Sequence, residues 1–598
     1  MCGIAGVMVR PPHEAVALAA RLGERLRHRG PDDEGAFSDL ARGVALCHCR
    51  LSVIDLSSRG RQPFANETGR LHLLVNGEIY NYRELRSELQ RAGHRFFSQS
   101  DSETILHGFE EWGEEVFPRL RGMYAAALYD QETGTLVLAR DPLGIKPLYL
   151  LTAPWGLAFA SEARAFHALP ASLWRFELDE DLLDRMLRFQ YLPDREGTLL
   201  KGITKVPPGT CLICRADGTR ASRVFWTLRA DPRVASLTFE EAVNECEALL
   251  TQSVEWTLNA DVPVGVLLSG GLDSSLVAAL ASRGGRPITT YTACFDHVLN
   301  ESDAAERVAR HLGSRHVPVF IEAAEVHRRF DELVPVYDDL TSFDGGLFTL
   351  VLLAEKIRER GIKVLLFGDG ADELFAGYSW YGLCQYPWRC LPRPMRAALM
   401  YYGMTRMLPG WARWRDVQTV SRAFEQSGER DISRQVGWYE MMIQLPNHFN
   451  MKTDKAISSR GLEGRVPYLD HRLAEFAYSL PAAFKMKGRW FRFAESNEKH
   501  ILRAVAARHL PPETAQRKKR GFLVPVAEIL KANLSNVRER LLDPQSLARR
   551  YFSHAQIERM LAFRTVLYSP FEKQKEFLVW KFFLLESWLR SWKERPQP

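Results

Sequence analysis

Apolar residues in the first third of the chain recur in short segments, separated by turns rich in glycine and asparagine. This pattern is typical of many short strands, and it predicts a layered, β-rich domain. The strand-like segments are 42–55, 71–81, 123–130, 135–141 and 147–161. Between them the apolar residues recur at helical spacing, which predicts helices at about 15–28, 82–92 and 102–115.

Beyond residue 238 the pattern changes to an alternation of buried strands and helices. An amphipathic stretch at 238–258 comes first, and compact apolar runs follow it. The predicted strands are 264–268, 288–295, 316–321 and 363–367, and helices are predicted at 302–313 and 347–360. Such alternation favours a parallel sheet covered by helices on both faces. From residue 380 onward the chain is mostly helical and aromatic.

At 598 residues the chain is too long for a single core, so we expect two domains. The first, an α+β domain, is predicted at 1–210, and the second, an α/β domain, at 238–598. A linker is predicted at 211–237, because a short strand-like segment at 210–215 gives way there to a polar stretch.

Composition excludes several classes of protein. The net charge of +6 is small for this length and gives no case for nucleic-acid binding. No run approaches the roughly 18 apolar residues that span a bilayer, and Arg10 interrupts any signal-peptide core. We therefore expect a cytoplasmic protein. The nine cysteines are scattered, which favours buried free thiols over zinc ligands.

The predicted strand at 264–268 runs into a glycine-rich turn and then into a helix. Gly270 and Gly271 allow the backbone to bend and to approach a ligand closely. The hydroxyls of Ser274 and Ser275 at the helix start make an anion site. The turn holds Asp273 and no lysine, which indicates Mg²⁺ bridging to phosphates. The stretch resembles the SGGxDSS pyrophosphate loop of ATP pyrophosphatases.

A second acidic cluster, made of Asp369, Asp372 and Glu373, follows the predicted strand at 363–367. It therefore lies at a carboxyl end of the parallel sheet, where ligands bind in open α/β folds. Three neighbouring carboxylates repel one another unless a cation intervenes, and Mg²⁺ with a nucleotide would supply one. Lys499, which we place on a helix, is a candidate partner for the phosphates.

Cys2 is a candidate nucleophile. If Met1 is removed, Cys2 carries both a thiol and a free α-amine, whose reference pKa near 8 suits a local base. An amino-acid ligand needs a cation for its carboxylate and acids for its ammonium group, and a thiol attacking an amide needs donors for the oxyanion. Segments that supply these groups are 27–32, 48–52, 74–81 and 100–104.

Together these stretches resemble the glutaminase domain of class II glutamine amidotransferases over roughly residues 1–200. The resemblance implies an Ntn-type fold of helix, sheet, sheet and helix layers. It implies that Cys2 forms a thioester and releases ammonia, and that Asn76 and Gly77 form the oxyanion hole. Glutamine would be bound by the remaining matched residues, which are Arg50 for its carboxylate, Glu78 and Asp101 for its amine, and Asn76.

With the motifs at 367–378, 462–472 and 498–503, the second part resembles the synthetase domain of glutamine-hydrolysing asparagine synthetases. The resemblance implies that ATP adenylates a carboxylate and that ammonia from Cys2 attacks the acyl-adenylate. Asp273 and Asp372 would hold Mg²⁺, Lys499 would stabilise phosphate charge, and Asp369 stands where other members carry a glutamate. ATP would contact Leu268, Ser269, Gly270, Gly271, Asp273, Ser274, Ala293, Phe367 and Gly368.

The chain departs from the family pattern at several positions. Asp369 is one methylene shorter than glutamate, Phe367 replaces a small hydroxyl residue, and Gly464 stands where alanine is common. The segment 338–347 on the acceptor side is also unlike the family pattern.

These departures leave the acceptor open between aspartate and another carboxylate, such as a uronic acid of a surface polysaccharide, a peptide or an osmolyte precursor. A regulator that only binds glutamine or nucleotide is disfavoured, because Cys2, Asp273 and Lys499 are intact. The expected partners are glutamine, ATP and the acceptor, with no nucleic acid, no membrane and at most a second copy in a homodimer.

Overall fold

A computed structural model gives the architecture of the chain. It describes residues 1–10, 14–295, 302–378, 380–381, 384, 391–405, 413–487, 498–518, 526–562 and 570–593. No helix in these ranges is both long enough and apolar enough to cross a membrane.

The N-terminal part contains two six-stranded antiparallel sheets. Its strands are β1 (Gly3–Val9), β2 (Asp33–Asp39), β3 (Val44–Arg50), β4 (Phe64–Ala65), β5 (Leu71–Ile79), β6 (Gly122–Asp130), β7 (Thr135–Arg140), β8 (Tyr149–Ala153), β9 (Gly156–Ala160), β10 (Ile203–Lys205), β11 (Thr210–Arg215) and β12 (Arg220–Val224). Its helices are α1 (Ala15–Glu24), α2 (Tyr82–Ala92), α3 (Glu103–Trp112) and α4 (Glu180–Phe189). The strand orders are β10-β8-β9-β1-β3-β2 and β12-β11-β7-β6-β5-β4.

The two sheets stack face to face and are buried on both sides. Alternate residues of β1 show this directly, because Ile4 and Met8 join the core between the sheets, whereas Ala5 and Val7 pack towards α1. On the far side of the second sheet, helix α3 and Leu85 of helix α2 cover β5. The order of layers is therefore helix, sheet, sheet and helix, which confirms the expected Ntn-type fold.

The predicted linker at 211–237 needs correction, because its first part belongs to the second sheet. Strand β11 pairs with β7, and β12 pairs with β11. Strand β12 is an edge strand whose side chains are mostly exposed, so it lacks the alternating apolar pattern that marks a half-buried strand. The ordered sheet therefore extends to Val224.

The C-terminal part is built on a five-stranded parallel sheet in the order β15-β14-β13-β16-β17. Its strands are β13 (Val264–Leu267), β14 (Thr289–Cys294), β15 (Arg315–Phe320), β16 (Val364–Leu366) and β17 (Glu463–Arg465). The helices of this part before residue 380 are α5 (Pro232–Ala235), α6 (Phe239–Thr257), α7 (Leu272–Ala281), α8 (Ser302–His311), α9 (Ala323–Arg328), α10 (Phe330–Leu333), α11 (Gly346–Arg358) and α12 (Ala371–Phe375). The predicted parallel sheet is confirmed.

The remainder is helical, as expected. The helices are α13 (Arg393–Thr405), α14 (Trp414–Gln426), α15 (Ile432–Tyr439), α16 (Leu445–Asn447), α17 (Phe449–Ser458), α18 (His471–Ser479), α19 (Ala482–Lys485), α20 (His500–Ala506), α21 (Pro512–Ala515), α22 (Val526–Ala532), α23 (Leu534–Leu542), α24 (Ala548–Tyr551), α25 (His554–Leu561) and α26 (Pro570–Lys593). Helix α26 ties the two parts together. Its Trp588 indole donates to Asp338 O at 2.7 Å, and its Trp592 ring stacks on Phe176.

Candidate functional site

The loop after β13 forms a cradle of hydroxyl groups in front of α7. The Ser269 amide donates to Ser274 Oγ at 3.1 Å, and the two serine Oγ atoms lie 3.0 Å apart. Gly270 has a φ of +70°, and a Cβ there would come within 2.6 Å of Ala305 N. Only glycine fits this turn, because the left-handed backbone passes so close to α8. The arrangement leaves the α7 N-terminus facing the cradle, as an anion site requires.

Lys499 stands between two of the predicted metal ligands. Its Nζ lies 2.5 Å from Asp273 Oδ2 and 2.6 Å from Asp372 Oδ1. Burial opposes the charge, but the two carboxylates outweigh it and raise the pKa of Lys499 above its usual range. Gly377 permits this pairing, since a Cβ there would overlap with the Asp372 carboxylate. The prediction that Lys499 lies on a helix is wrong, because it precedes α20 with a φ of +56°.

The positions of Asp273 and Asp372 also suit a divalent cation. Carboxylate oxygens of both residues converge on one positively charged atom, so they also point at a common position. Mg²⁺ in nucleotide sites is held by one or two carboxylates together with phosphate oxygens. The two residues and the adjacent phosphate cradle therefore fit the group that the sequence predicts.

The segment after β16 lies directly against this loop. A Cβ at Gly368 would come 2.8 Å from Ser274 N, so the two chain segments meet at the carboxyl end of the sheet. Asp369 Oδ2 accepts a hydrogen bond from Thr453 Oγ1 at 2.6 Å. This contact fixes the shorter aspartate against α17.

Two departures from the family pattern are neighbours in space. The buried ring of Phe367 faces Gly464 on β17, and a Cβ at Gly464 would lie 3.2 Å from Phe367 Cε2. A methyl group at that distance forces the ring or the strand to move. The larger side chain directly after β16 and the missing side chain on β17 therefore compensate for each other.

We expect Gly464→Ala to destabilise the protein by about 1 kcal/mol through this crowding. Thermal unfolding measures the effect, and the loss should shrink in a Phe367→Leu background. Gly437→Ala is a matched control, because a Cβ there meets nothing nearer than Tyr478 Cδ2 at 3.6 Å. An equal loss from Gly464→Ala in both backgrounds would exclude Phe367 as the cause.

A cavity of about 570 Å³ opens at this end of the sheet. Its volume lies within the ~300–1,000 Å³ that is usual for small-molecule sites. Of the nucleotide, metal and catalytic residues predicted in the C-terminal part, Gly270 does not line this cavity. The others line it, namely Leu268, Ser269, Gly271, Asp273, Ser274, Ala293, Phe367, Gly368, Asp369, Asp372 and Lys499.

The far wall of the cavity carries a charge pair and an aromatic stack. Lys452 Nζ lies 3.0 Å from Asp344 Oδ2. Burial would raise the pKa of Asp344, but the charge of Lys452 and the contact with His448 hold it well below its usual range. The rings of Tyr378 and Trp380 stack with centroids 4.3 Å apart, and Phe449 lies 6.3 Å from Tyr378 on a similar plane. Sequence reasoning missed Lys452, Trp380 and Phe449, because no motif marks them, whereas Tyr378 is the last residue of the motif at 367–378.

Cys2 precedes β1 and is partly buried beside the end of β3. The Leu51 amide donates to its Sγ at 3.4 Å. Burial raises the pKa of the thiol above its ordinary value. The terminal ammonium group belongs to Met1, donates to Leu462 O at 3.1 Å, and has a pKa lowered to about 5 by burial. A free amine on Cys2 therefore requires removal of Met1.

Asn76 and Gly77 lie on β5. Asn76 is fully buried, and within the described part of the chain its side-chain amide has no hydrogen-bond partner. A buried unpaired amide is costly in a folded protein unless a ligand completes it. A Cβ at Gly77 would overlap with the Met123 carbonyl oxygen, so glycine is required there. The Asn76 amide is thus available to a developing oxyanion.

The three predicted glutamine-binding charges are all buried. Arg50 donates from Nη1 to Ser57 O at 2.8 Å and from Nη2 to Asp55 O and Ile54 O, which leaves a second N–H on Nη1 for a ligand. Burial raises the pKa of Asp101 to about 6 and that of Glu78 well above its usual value.

Two arginines join this region to the C-terminal part. Arg465 on β17 lies 3.2 Å from Glu78 Oε1, with its Nη2 as the nearest atom. Arg29 Nε donates to Cys2 O at 3.0 Å, and its Nη2 donates to Asp454 Oδ2 at 2.9 Å. Both arginines lie in segments that the sequence singled out, but their partners are distant along the chain. The two candidate centres therefore share a buried, charged interface.

Comparisons with known proteins agree with this division. The sequence model described as asparagine synthase matches residues 245–590, and the one described as a glutamine amidotransferase domain matches residues 1–226. The second match includes β11 and β12.

Similar proteins include asparagine synthetase (glutamine-hydrolyzing) 3 of Bacillus subtilis, 30% identical over 552 residues that cover 87% of each chain. Asparagine synthetase (glutamine-hydrolyzing) 1 of the same organism is 29% identical over 580 residues, covering 90% of this chain and 89% of that one. Amidase chry2 of Gibberella zeae is 28% identical over 607 residues, covering 88% and 89%. The chain belongs to the asparagine synthase family and carries a glutamine amidotransferase domain at its N-terminus.

Proposed function

We propose that this protein is a glutamine-dependent asparagine synthetase. ATP adenylates the side-chain carboxylate of aspartate, and ammonia released from glutamine at Cys2 attacks the acyl-adenylate. The products are asparagine, AMP, pyrophosphate and glutamate. The family membership supports the reaction class, and the two candidate centres supply residues for each half of it.

In the first half, the Cys2 thiol attacks the amide carbon of glutamine. The Cys2 α-amine accepts the thiol proton and returns it to the leaving ammonia, and water then hydrolyses the thioester. The Asn76 amide and the Gly77 backbone stabilise the oxyanion, for which the unpaired and buried Asn76 amide is the support. Arg50 binds the substrate carboxylate, and Glu78 and Asp101 bind its ammonium group.

In the second half, the serine cradle and the α7 N-terminus bind the phosphates that leave as pyrophosphate. Mg²⁺ held by Asp273 and Asp372 would neutralise phosphate charge there. Lys499 stabilises the negative charge that shifts to the leaving group, since its ammonium already faces the same position. Asp369, fixed by Thr453, faces the reacting centre from the end of β16.

The observation that carries the choice of aspartate is the pair formed by Lys452 and Asp344 in the cavity wall. An amino acid presents a carboxylate and an ammonium group on one carbon. A cation and an anion 3.0 Å apart are complementary to those two groups. A simple dicarboxylate has no ammonium group and therefore makes no use of Asp344.

A second candidate acceptor is a uronic acid, favoured by the stack of Trp380, Tyr378 and Phe449. Flat aromatic faces bind the apolar face of a sugar ring, and all three rings line the cavity. In this alternative Lys452 binds another part of the sugar acid, and the ATP chemistry is unchanged.

Pyrophosphate release with ATP, glutamine and a panel of acceptors tests the proposal. We expect aspartate to stimulate release about tenfold or more over succinate and a hexuronate, because only aspartate uses both charges of the pair.

Lys452→Met should raise KM for aspartate and leave glutamine hydrolysis intact, whereas the exposed Lys531→Met on α22 should change neither. Stimulation by the hexuronate alone would replace aspartate with the second candidate.

A further inference from the structure

Four potential metal ligands converge in the N-terminal domain, on the α2–α3 side of the second sheet. They are Glu67, His94, His107 and Glu110, and we call them the His–Glu cluster. One side-chain atom from each residue lies within 4.8 Å of the corresponding atom of every other. Glu67 is in the turn between β4 and β5, His94 follows α2, and the other two are one turn apart on α3. Three separate segments of the chain therefore meet at this cluster.

The distances within the cluster are too long for hydrogen bonds and suit a shared cation. His107 Nδ1 lies 3.6 Å from a Glu67 oxygen and 3.9 Å from a Glu110 oxygen, and His94 Nδ1 lies 3.7 Å from the same Glu110 oxygen. Ligand atoms of a tetrahedral zinc site, with bonds of about 2.0–2.1 Å, are separated by roughly 3.3–3.5 Å. Small rotations of these side chains would therefore close the site.

His107 adds an independent observation. It is only 1% exposed, and its Nδ1 has no hydrogen-bond partner within the described ranges. The opposite ring atom, Nε2, lies 3.4 Å from Glu103 Oε1. With the proton on Nε2, the lone pair of Nδ1 points at the oxygens of Glu67 and Glu110. Like partial charges face one another in that arrangement unless a cation stands between them.

An outer shell orients each of the four ligands. His94 Nε2 lies 3.2 Å from Glu111 Oε2, which repeats the pairing of His107 with Glu103. Histidines that bind metals generally donate their second ring N–H to a carboxylate or carbonyl in this way. The carboxylates are held too. Glu110 Oε1 accepts from Asn66 Nδ2 at 3.0 Å, and Glu67 Oε1 accepts from the Arg95 amide at 2.8 Å.

We propose that the His–Glu cluster is a structural zinc site, with His94 Nδ1, His107 Nδ1 and one oxygen each from Glu67 and Glu110 as ligands. Two imidazole nitrogens and two carboxylate oxygens in a closed, four-coordinate set suit Zn²⁺ better than Mg²⁺ or Ca²⁺, which prefer oxygen ligands. The metal fastens the β4–β5 turn to α3. Helix α3 also holds the 97–98 backbone through Glu103, so the site stiffens the segment that leads to Asp101.

Metal analysis of the untagged full-length protein tests this site. The protein is purified without chelators, stripped by dialysis against a chelator, and titrated with Zn²⁺ or Co²⁺ in excess Mg²⁺, which occupies sites built from carboxylates alone. We expect one equivalent of Zn²⁺ to bind with a Kd near or below 1 μM, a rise in the melting temperature, and visible absorption typical of tetrahedral Co²⁺. These readouts do not depend on the proposed asparagine synthetase activity.

Variants separate the cluster from other sites. His94→Gln and Glu110→Gln change partly exposed ligands, so the protein should still fold, and each should weaken Zn²⁺ binding about tenfold or more. His554→Gln, an exposed histidine on α25, is the matched control and should bind as the parent does. Absence of stoichiometric Zn²⁺ binding to the parent, or equal binding by both ligand variants, would overturn the proposal.

Discussion

Replacing Cys2 with alanine is expected to abolish glutamine-dependent synthesis and to leave ammonia-dependent synthesis close to the parent rate. The change removes the one thiol that lies beside the Leu51 amide at the start of β1. Loss of a covalent nucleophile costs about 10⁴-fold or more in rate. Free ammonia bypasses that step, because the cavity that we propose for ATP is built by residues of the other domain.

Glutamate release and amide formation, measured in parallel with each nitrogen source, check this result. Cys49→Ala is a suitable control, since Cys49 is buried on β3 opposite Gly3 and donates its thiol to Gly23 O. Cys49→Ala should lower the free energy of unfolding and leave glutaminase activity almost unchanged. Mass spectrometry should also show that the active chain begins at Cys2, because the amine is otherwise blocked by Met1. Equal loss of both activities in Cys2→Ala would assign Cys2 a structural role.

The elements that the sequence predicted well are those whose signals are local. The strand, glycine turn and helix at 264–281 and the acidic segment after β16 could be placed from neighbouring residues alone. Parallel pairing then brings both ends to one edge of the sheet, which is why Gly368 and Ser274 meet. The stacked antiparallel sheets follow in the same way from short apolar segments and their turns.

Contacts between distant segments could not be predicted. Nothing near Arg465 in sequence indicates that it meets Glu78, or that Arg29 joins Cys2 to Asp454. Strand β12 was not predicted, because the side chains of this exposed edge strand do not alternate between apolar and polar. Lys499 was placed on a helix because a helical pattern follows it, whereas its own left-handed backbone turns its side chain towards Asp273 and Asp372.

The compensation between Phe367 and Gly464 is a further example. In the sequence, both residues are departures from the family pattern and are among the reasons for leaving the acceptor open. In space they compensate for each other, since Phe367 Cε2 lies only 3.2 Å from the position that a Cβ at 464 would take. Lys452, Trp380 and Phe449 in the far wall of the cavity have no such signal in the sequence, because they lie outside every motif.

Asp273→Asn is expected to stop AMP formation with either nitrogen source and to leave glutamine hydrolysis in place. The substitution keeps the size of the side chain and removes its charge, so the serine cradle and α7 remain. Of the two carboxylates that pair with Lys499, Asp372 then remains. Asp273, a candidate Mg²⁺ ligand, becomes a neutral amide that binds the cation more weakly. Loss of one preorganised electrostatic group typically costs 10²–10³-fold in turnover.

AMP and pyrophosphate release with ammonia, and glutamate release from glutamine, together check the expectation. Asp303→Asn is the matched control, because Asp303 occupies the first turn of the neighbouring helix α8 and is exposed outside the cavity. It should have no effect on either activity. AMP release at the parent rate by Asp273→Asn would remove Asp273 from the proposed site.

A double variant distinguishes a shared site from two independent contributions. Asp273 and Asp372 both bind the single ammonium of Lys499, so they act on the same position. Residues that act as a unit are strongly non-additive, because losing either one disables the group. Asp273→Asn with Asp372→Asn should therefore be little slower than the worse single variant. If the two losses instead multiplied, the carboxylates would be acting at separate steps, and a metal shared between them would be excluded.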